Sequence, residues 1–178
     1  MAKIINDPGS PLHGMTLSSL PAEVYTEAVS SRDDIGVLLR SYYLVERACE
    51  NLCATLYYDY TKLQHDSLSK HLRALRAFGF TAPVLRMADV ISKHRGPGAH
   101  VRTRVITPEY VAELNTQSSG VLNIPGTLLQ NGLLPTSEGQ NVPLEQASLR
   151  EQYAVLSCVC AGAIDLMAER RKPAAAQN

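Results

Sequence analysis

Residues 33–60 read DDIGVLLRSYYLVERACENLCATLYYDY. Apolar side chains recur there at Ile35, Leu38, Leu39, Tyr42, Val45, Cys49, Leu52, Cys53, Leu56 and Tyr60. Steps of three and four put them on one stripe of a helix, because successive residues turn by about 100°. Arg40, Arg47, Asn51 and Tyr58 fall on the opposite side. Asp33 and Asp34 suit the N-terminus, where a carboxylate accepts orphan amides and meets the positive end of the dipole. The spacing predicts a long amphipathic helix, and such a stripe needs other apolar faces to lie against.

The rest of the chain supplies them at the same period. Ser67 reads as the cap of a helix with Leu68, Leu72 and Leu75 inward and Gly79 as its stop. Thr81 and Pro83 open another, with a stripe of Val84, Met87, Ala88 and Ile91, which Gly96-Pro97-Gly98 ends. Thr107-Pro108 starts a short helix with Val111 and Leu114 inward. Leu149, Tyr153, Leu156, Val159, Ala163 and Leu166 mark a last helix over residues 144–171, closed by Arg170, Arg171 and Lys172. A short helix is expected over residues 21–29, with Pro21 in its first turn. Residues 118–143 hold four glycines and three prolines, so they read as a long irregular loop with a small hairpin at Asn131-Gly132. The expected architecture is all-α: an antiparallel bundle of five to six helices with that loop before the last. Residues 1–18 form an arm, 19–172 one domain and 173–178 a tail.

Composition narrows the function classes. The 178 residues suit one domain able to bury a core without staples. The 17 basic and 17 acidic residues cancel, which argues against a protein held to DNA by bulk charge. No stretch approaches the roughly 18 unbroken apolar residues of a membrane span, and residues 1–20 lack the apolar run of a secretory signal. The expectation is a cytoplasmic protein with no membrane partner. Cys49, Cys53, Cys158 and Cys160 then stay reduced and sit in apolar surroundings as structural thiols. HExxH, paired CxxC, P-loop and GxSxG motifs are all missing from the sequence, so neither a metal nor a cofactor is expected.

Three features carry chemistry. Arg95 is followed, four residues between, by His100. An arginine can clamp a phosphate at any pH, and a histidine titrating near neutrality can take a proton from a ribose 2′-hydroxyl. A helix end followed by a surface loop explains the same letters without chemistry. Glu46 lies at the edge of the apolar stripe, where a partly buried carboxylate needs a partner. Arg95 or His100 is one candidate, and solvent or its own helix is the other. Finally, residues 67–104 hold Lys70, Arg73, Arg76, Arg86, Lys93, Arg95, Arg102 and Arg104 against one acid, Asp89, with His71, His94 and His100 among them. That is the footprint of a phosphate-bearing partner, provided that the cations share a face. Arg73, Arg76, Lys93, Arg95, Arg102 and Arg104 are the candidate nucleic-acid contacts. The Phe78-Gly79-Phe80 turn has the length of a helix-turn-helix, but the apolar start of the next helix makes a poor reading head.

Three stretches resemble the mannitol operon repressor family. They are Leu44-Val45-Glu46 through Asn51-Leu52, the Leu-rich helix of residues 68–79 with its Phe-Gly stop, and the following helix, which ends at Arg95 with His100 beyond it. The closing helix, with Gln152-Tyr153 near its start, is similar as well. The resemblance covers residues 35–105 and 145–171. It implies a helical, HEPN-like homodimer that represses transcription, directly or through a protein partner. The same region is similar to HEPN domains in helix order and in the Arg-His spacing. For those, the resemblance implies a metal-independent endoribonuclease of a toxin or defence system, in which Arg95, His100 and Glu46 would be catalytic. Gly96, followed by Pro97, stands after the arginine where that pattern is commonly polar, which favours a non-catalytic relative.

Overall fold

The computed structural model describes residues 33–57, 60, 67–80, 82–95, 105–122, 127–135 and 141–171. Among the described residues six α-helices carry the fold: α1 (Asp34–Leu56), α2 (Leu68–Ala77), α3 (Pro83–Arg95), α4 (Pro108–Leu122), the short α5 (Leu128–Asn131) and α6 (Leu149–Glu169). The all-α bundle read from the sequence is the observed one. The expected helix over residues 21–29, the arm and the tail lie outside the described residues.

Helix α1 begins as its letters dictate, with the Asp33 carboxylate accepting from the Gly36 amide at 2.7 Å. It ends at Leu56 instead of running to Tyr60. Tyr57 turns extended while its amide still reaches Cys53 O. Tyr60 keeps its place in the core through this turn, its hydroxyl 2.6 Å from His71 Nδ1. Ser67 precedes α2, but its side chain makes no capping bond. The Leu68 amide goes to the Tyr42 hydroxyl of α1 at 3.0 Å instead. Gly79 stops α2 at φ +75°, a conformation that side chains with a Cβ rarely adopt.

The region read as a long loop is partly helical. Helix α4 runs to Leu122 rather than stopping early. The hydroxyls of Thr116, Ser118 and Ser119 bond back to the Ala112, Asn115 and Thr116 carbonyls, which removes their usual competition with the helix. Asn115 then anchors α5: its amide donates to Thr127 Oγ1 at 2.9 Å, and its carbonyl oxygen accepts from the Leu129 amide at 3.2 Å. A hairpin does follow, β1 (Leu133–Pro135) against β2 (Asn141–Pro143), in register Leu133↔Pro143. Its turn is not at Asn131-Gly132. That pair ends α5, and Gly132 is needed there because a Cβ would stand 2.7 Å from Leu128 O. A 3₁₀ turn at Leu144–Gln146 precedes α6. Helix α6 opens five residues later than expected, at a capping box of Ser148 and Glu151.

The core is a single cluster built mainly on α1 and α6. These two helices run parallel. Arg150 near the start of α6 pairs with Asp34 at the start of α1, and Asn51 of α1 reaches Asp165 towards the end of α6 at 3.5 Å. Helix α3 runs antiparallel to α6, since Val84 O accepts from Cys160 Sγ at one end and His94 meets Tyr153 at the other. Helix α6 is long and apolar enough to cross a membrane by length and composition, and 78% of its most apolar window is buried inside the bundle.

Candidate functional site

The last turn of α3 sends two neighbouring side chains in different directions. His94 enters the core. Its ring stacks on Tyr110 of α4 at 4.0 Å and 6°. Nδ1 lies 3.3 Å from the Tyr153 hydroxyl and Nε2 lies 3.3 Å from Glu113 Oε2. Burial holds the Tyr153 phenol well above its ordinary pKa, so this hydroxyl keeps its proton. Every polar atom of the imidazole is engaged, which makes His94 a packing residue tying α3 to α4 and α6.

Arg95, one residue on, turns to α1. Its guanidinium lies over the Tyr42 ring, 4.1 Å from the centroid, a cation–π contact. The Tyr42 hydroxyl accepts from the Leu68 amide, and it neighbours the Glu46 carboxyl. The side chains of Tyr42, Glu46 and Arg95 therefore meet where α1, the start of α2 and the end of α3 converge. Glu46 is half-buried, and its Oε1 is shielded from solvent and has no hydrogen-bond partner among the described residues. Burial raises the pKa of its carboxyl above the ordinary value. The neighbouring Tyr42 hydroxyl, Leu68 amide and Arg95 charge pull it down by less. Burial likewise raises the Tyr42 phenol.

The sequence paired Glu46 with Arg95 or His100; the structure sets Arg95 over the Tyr42 ring near Glu46, with no ion pair between the two. His100, Arg102 and Arg104 lie outside the described residues. Tyr42 is the member that sequence reasoning missed. The apolar stripe marks it only as a core position, although a tyrosine one turn before a stripe-edge glutamate places a hydroxyl beside the carboxylate.

The basic stretch divides. His71 and His94 are core residues, 2% and 4% exposed, and so add nothing to a surface. Arg95 faces α1. Arg73, Arg76 and Lys93 are exposed. An ion pair between Arg76 and Asp89 joins the outer faces of α2 and α3. Arg73 lies one turn before Arg76 on α2, and Lys93 one turn after Asp89 on α3. Arg86, one turn before Asp89 and also exposed, belongs to this face and was not among the expected contacts. Its spacing of seven from Lys93, with Asp89 between, was the available signal. Among the described residues, neither Arg86 nor Lys93 has an acidic partner. The face thus sets four cations against one carboxylate.

The cysteines are buried and free. Burial pushes the Cys53 thiol up to about 11 and the Cys158 thiol up to about 12, so neither offers a reactive thiolate near neutrality. Among the described residues, no group of three or more His, Cys, Asp or Glu is arranged to hold a metal ion. No protein-family model, no curated protein and no solved structure matches the chain.

Proposed function

We propose that the chain is a regulatory protein acting in transcriptional repression, directly or through a protein partner, and that its outer α2–α3 face grips nucleic-acid phosphates. The observation that carries this reading is the joining of Arg73, Arg76, Arg86 and Lys93 into one exposed surface across the Arg76–Asp89 pair. Clustered cations displace condensed counterions from a phosphate backbone, and this gives affinity to a chain with no net charge. Repression, among regulatory roles, is what the resemblance to the mannitol operon repressor family suggests. Fluorescence anisotropy with labelled duplex DNA and RNA at rising salt tests it. Binding should weaken steeply with salt. Arg86→Glu with Lys93→Glu should weaken it about 10- to 100-fold and flatten the salt slope. Absence of binding to either nucleic acid, together with native purification that recovers no partner, sinks the proposal.

A second reading rests on Glu46, a half-buried carboxyl with one orphan oxygen beside an arginine, since perturbed acids cluster at working sites. In it Arg95 holds the scissile phosphate. His100 takes the 2′-hydroxyl proton as the O2′–P bond forms and the P–O5′ bond breaks. The leaving 5′-oxygen takes a proton from solvent water and a 2′,3′-cyclic phosphate remains. RNA cleavage in EDTA by the wild type, lost in His100→Ala, is the expected result. Equal cleavage in both proteins, or none in either, removes this reading.

A further inference from the structure

Two exposed aromatic rings meet where the ends of α1 and α2 come together. Tyr57 caps the C-terminus of α1 and Phe78 that of α2. Their rings stack, with centroids 5.9 Å apart and planes 28° apart. Tyr57 is 42% exposed and Phe78 43%. A pair that served only the core would be buried, because contact with water forfeits much of what an aromatic ring contributes by burial. The backbone beneath them is held: the Tyr57 amide donates to Cys53 O at 2.9 Å and the Phe78 amide to Ala74 O at 3.0 Å. The outcome is a fixed, flat, apolar platform facing solvent.

The platform borders the cationic face. At about 100° per residue, Arg76 and Phe78 leave the two flanks of α2, with the exposed Arg73 and Ala77 on the ridge between them. From Arg76 the cations continue across Asp89 to Arg86 and Lys93 on α3. A further exposed cation, Arg171, lies over the Phe80 ring at 5.0 Å, two residues past Phe78. The rings themselves sit at two helix C-termini, whose carbonyl ends disfavour a phosphate and leave the spot to an uncharged flat group.

We infer that the Tyr57–Phe78 pair is a base-stacking platform, and that the strand this protein takes is single-stranded nucleic acid. Its bases lie on the two rings while its phosphates pass over α2 to Arg73 and Arg76 and on to α3. Aromatic faces beside a row of cations are what an unpaired strand recognises, since every base has a π-face and every nucleotide a charge. In a duplex those faces are covered by neighbouring pairs, so the platform has nothing to stack on. An apolar protein segment would use the rings and leave the cations idle. Stacking is blind to the sugar, so ribose and deoxyribose strands share this chemistry. The inference rests on the reading that the α2–α3 face grips phosphates, and adds which kind of strand supplies them.

Fluorescence anisotropy of the full chain with labelled oligomers of one length tests it. The probes are a ribose strand, a deoxyribose strand, a deoxyribose duplex and an abasic strand, which keeps the phosphates and lacks the bases. Wild type should bind a base-bearing single strand about 10-fold or more tighter than the abasic one. That preference in either sugar supports the inference, and the tighter arm names the strand. Tyr57→Ala with Phe78→Ala should bring single strands down to the abasic level. Its affinity for the abasic strand and the duplex should stay at the wild-type value, which also shows that the fold and the cations are intact. Tyr57→Phe keeps the ring and should bind as wild type does. Equal affinity of wild type for base-bearing and abasic strands overturns the inference and leaves phosphate binding standing. So does an alanine pair that binds single strands like wild type, or one that weakens all four probes alike. Absence of binding to any probe overturns this inference and the phosphate reading together.

Discussion

Helices α1 and α6 are nearly the same length, run parallel and share the heart of the core, yet they relate to solvent differently. Helix α6 is buried on almost every side between Gln152 and Ala168. Helix α1 buries one stripe and keeps another in water. A helix that is apolar all round has spent its surface on its own fold. A helix with a regular exposed stripe keeps that surface in solvent. The comparison separates residues that build the molecule from residues that can serve it.

The largest expected effect lies in the shared core. Leu156→Ala on α6 should destabilise the fold by about 2–5 kcal/mol, through lost transfer energy and a cavity. Tyr43→Ala on the outer stripe of α1 should change monomer stability by no more than about 0.5 kcal/mol. Guanidinium unfolding of the two variants beside wild type compares them. Similar losses in the two would erase the distinction between the helices.

Tyr153→Phe sharpens it at one hydroxyl. The variant removes the group that meets His94 Nδ1 and leaves the ring in place. A loss of about 1–2 kcal/mol is expected from the same measurement, the cost of a buried polar group deprived of a partner.

The smallest effect comes from α1, at Glu46. Its folded-state pKa lies above the ordinary carboxylate value, burial being the main cause. The folded chain therefore holds this proton more tightly than the unfolded one. The stability it contributes is fully present below the unfolded carboxyl value and is lost as pH rises through the folded one. Glu46→Gln stays uncharged, so it should match wild type near pH 4 and exceed it near pH 7. The gain should stay under about 1 kcal/mol, because solvent screens a half-buried group. Thermal melts at the two pH values read the difference. A Gln variant less stable near pH 7 would mean that the Arg95 charge outweighs burial.

Much of this molecule was legible as letters. The apolar period gave α1, α2, α3 and α6, and Asp33 and Gly79 marked ends that the coordinates keep. The capping box of Ser148 and Glu151 was equally readable and sets the start of α6. Helix α4 was not readable to its end. Its Ser-Ser-Gly close has poor helix propensity, and the structure overrides it through hydroxyl-to-carbonyl bonds and through Gly120, where an added Cβ would lie 3.5 Å from Pro83 Cβ. The candidate site was half legible. Glu46 could be placed at a stripe edge, but its meeting with Arg95 depends on how α3 crosses α1.

Local spacing alone determined that the chain is helical, where most helices lie and which stripes are apolar, because those follow from a 3.6-residue turn and the chemistry of each side chain. Tertiary structure decided what spacing does not contain. It set the parallel course of α1 and α6, the opposite turns of His94 and Arg95, and the joining of the α2 and α3 cations across Asp89. Each of these depends on the angle and height at which separate helices pack, and that is fixed by the shape of the whole core rather than by any one segment.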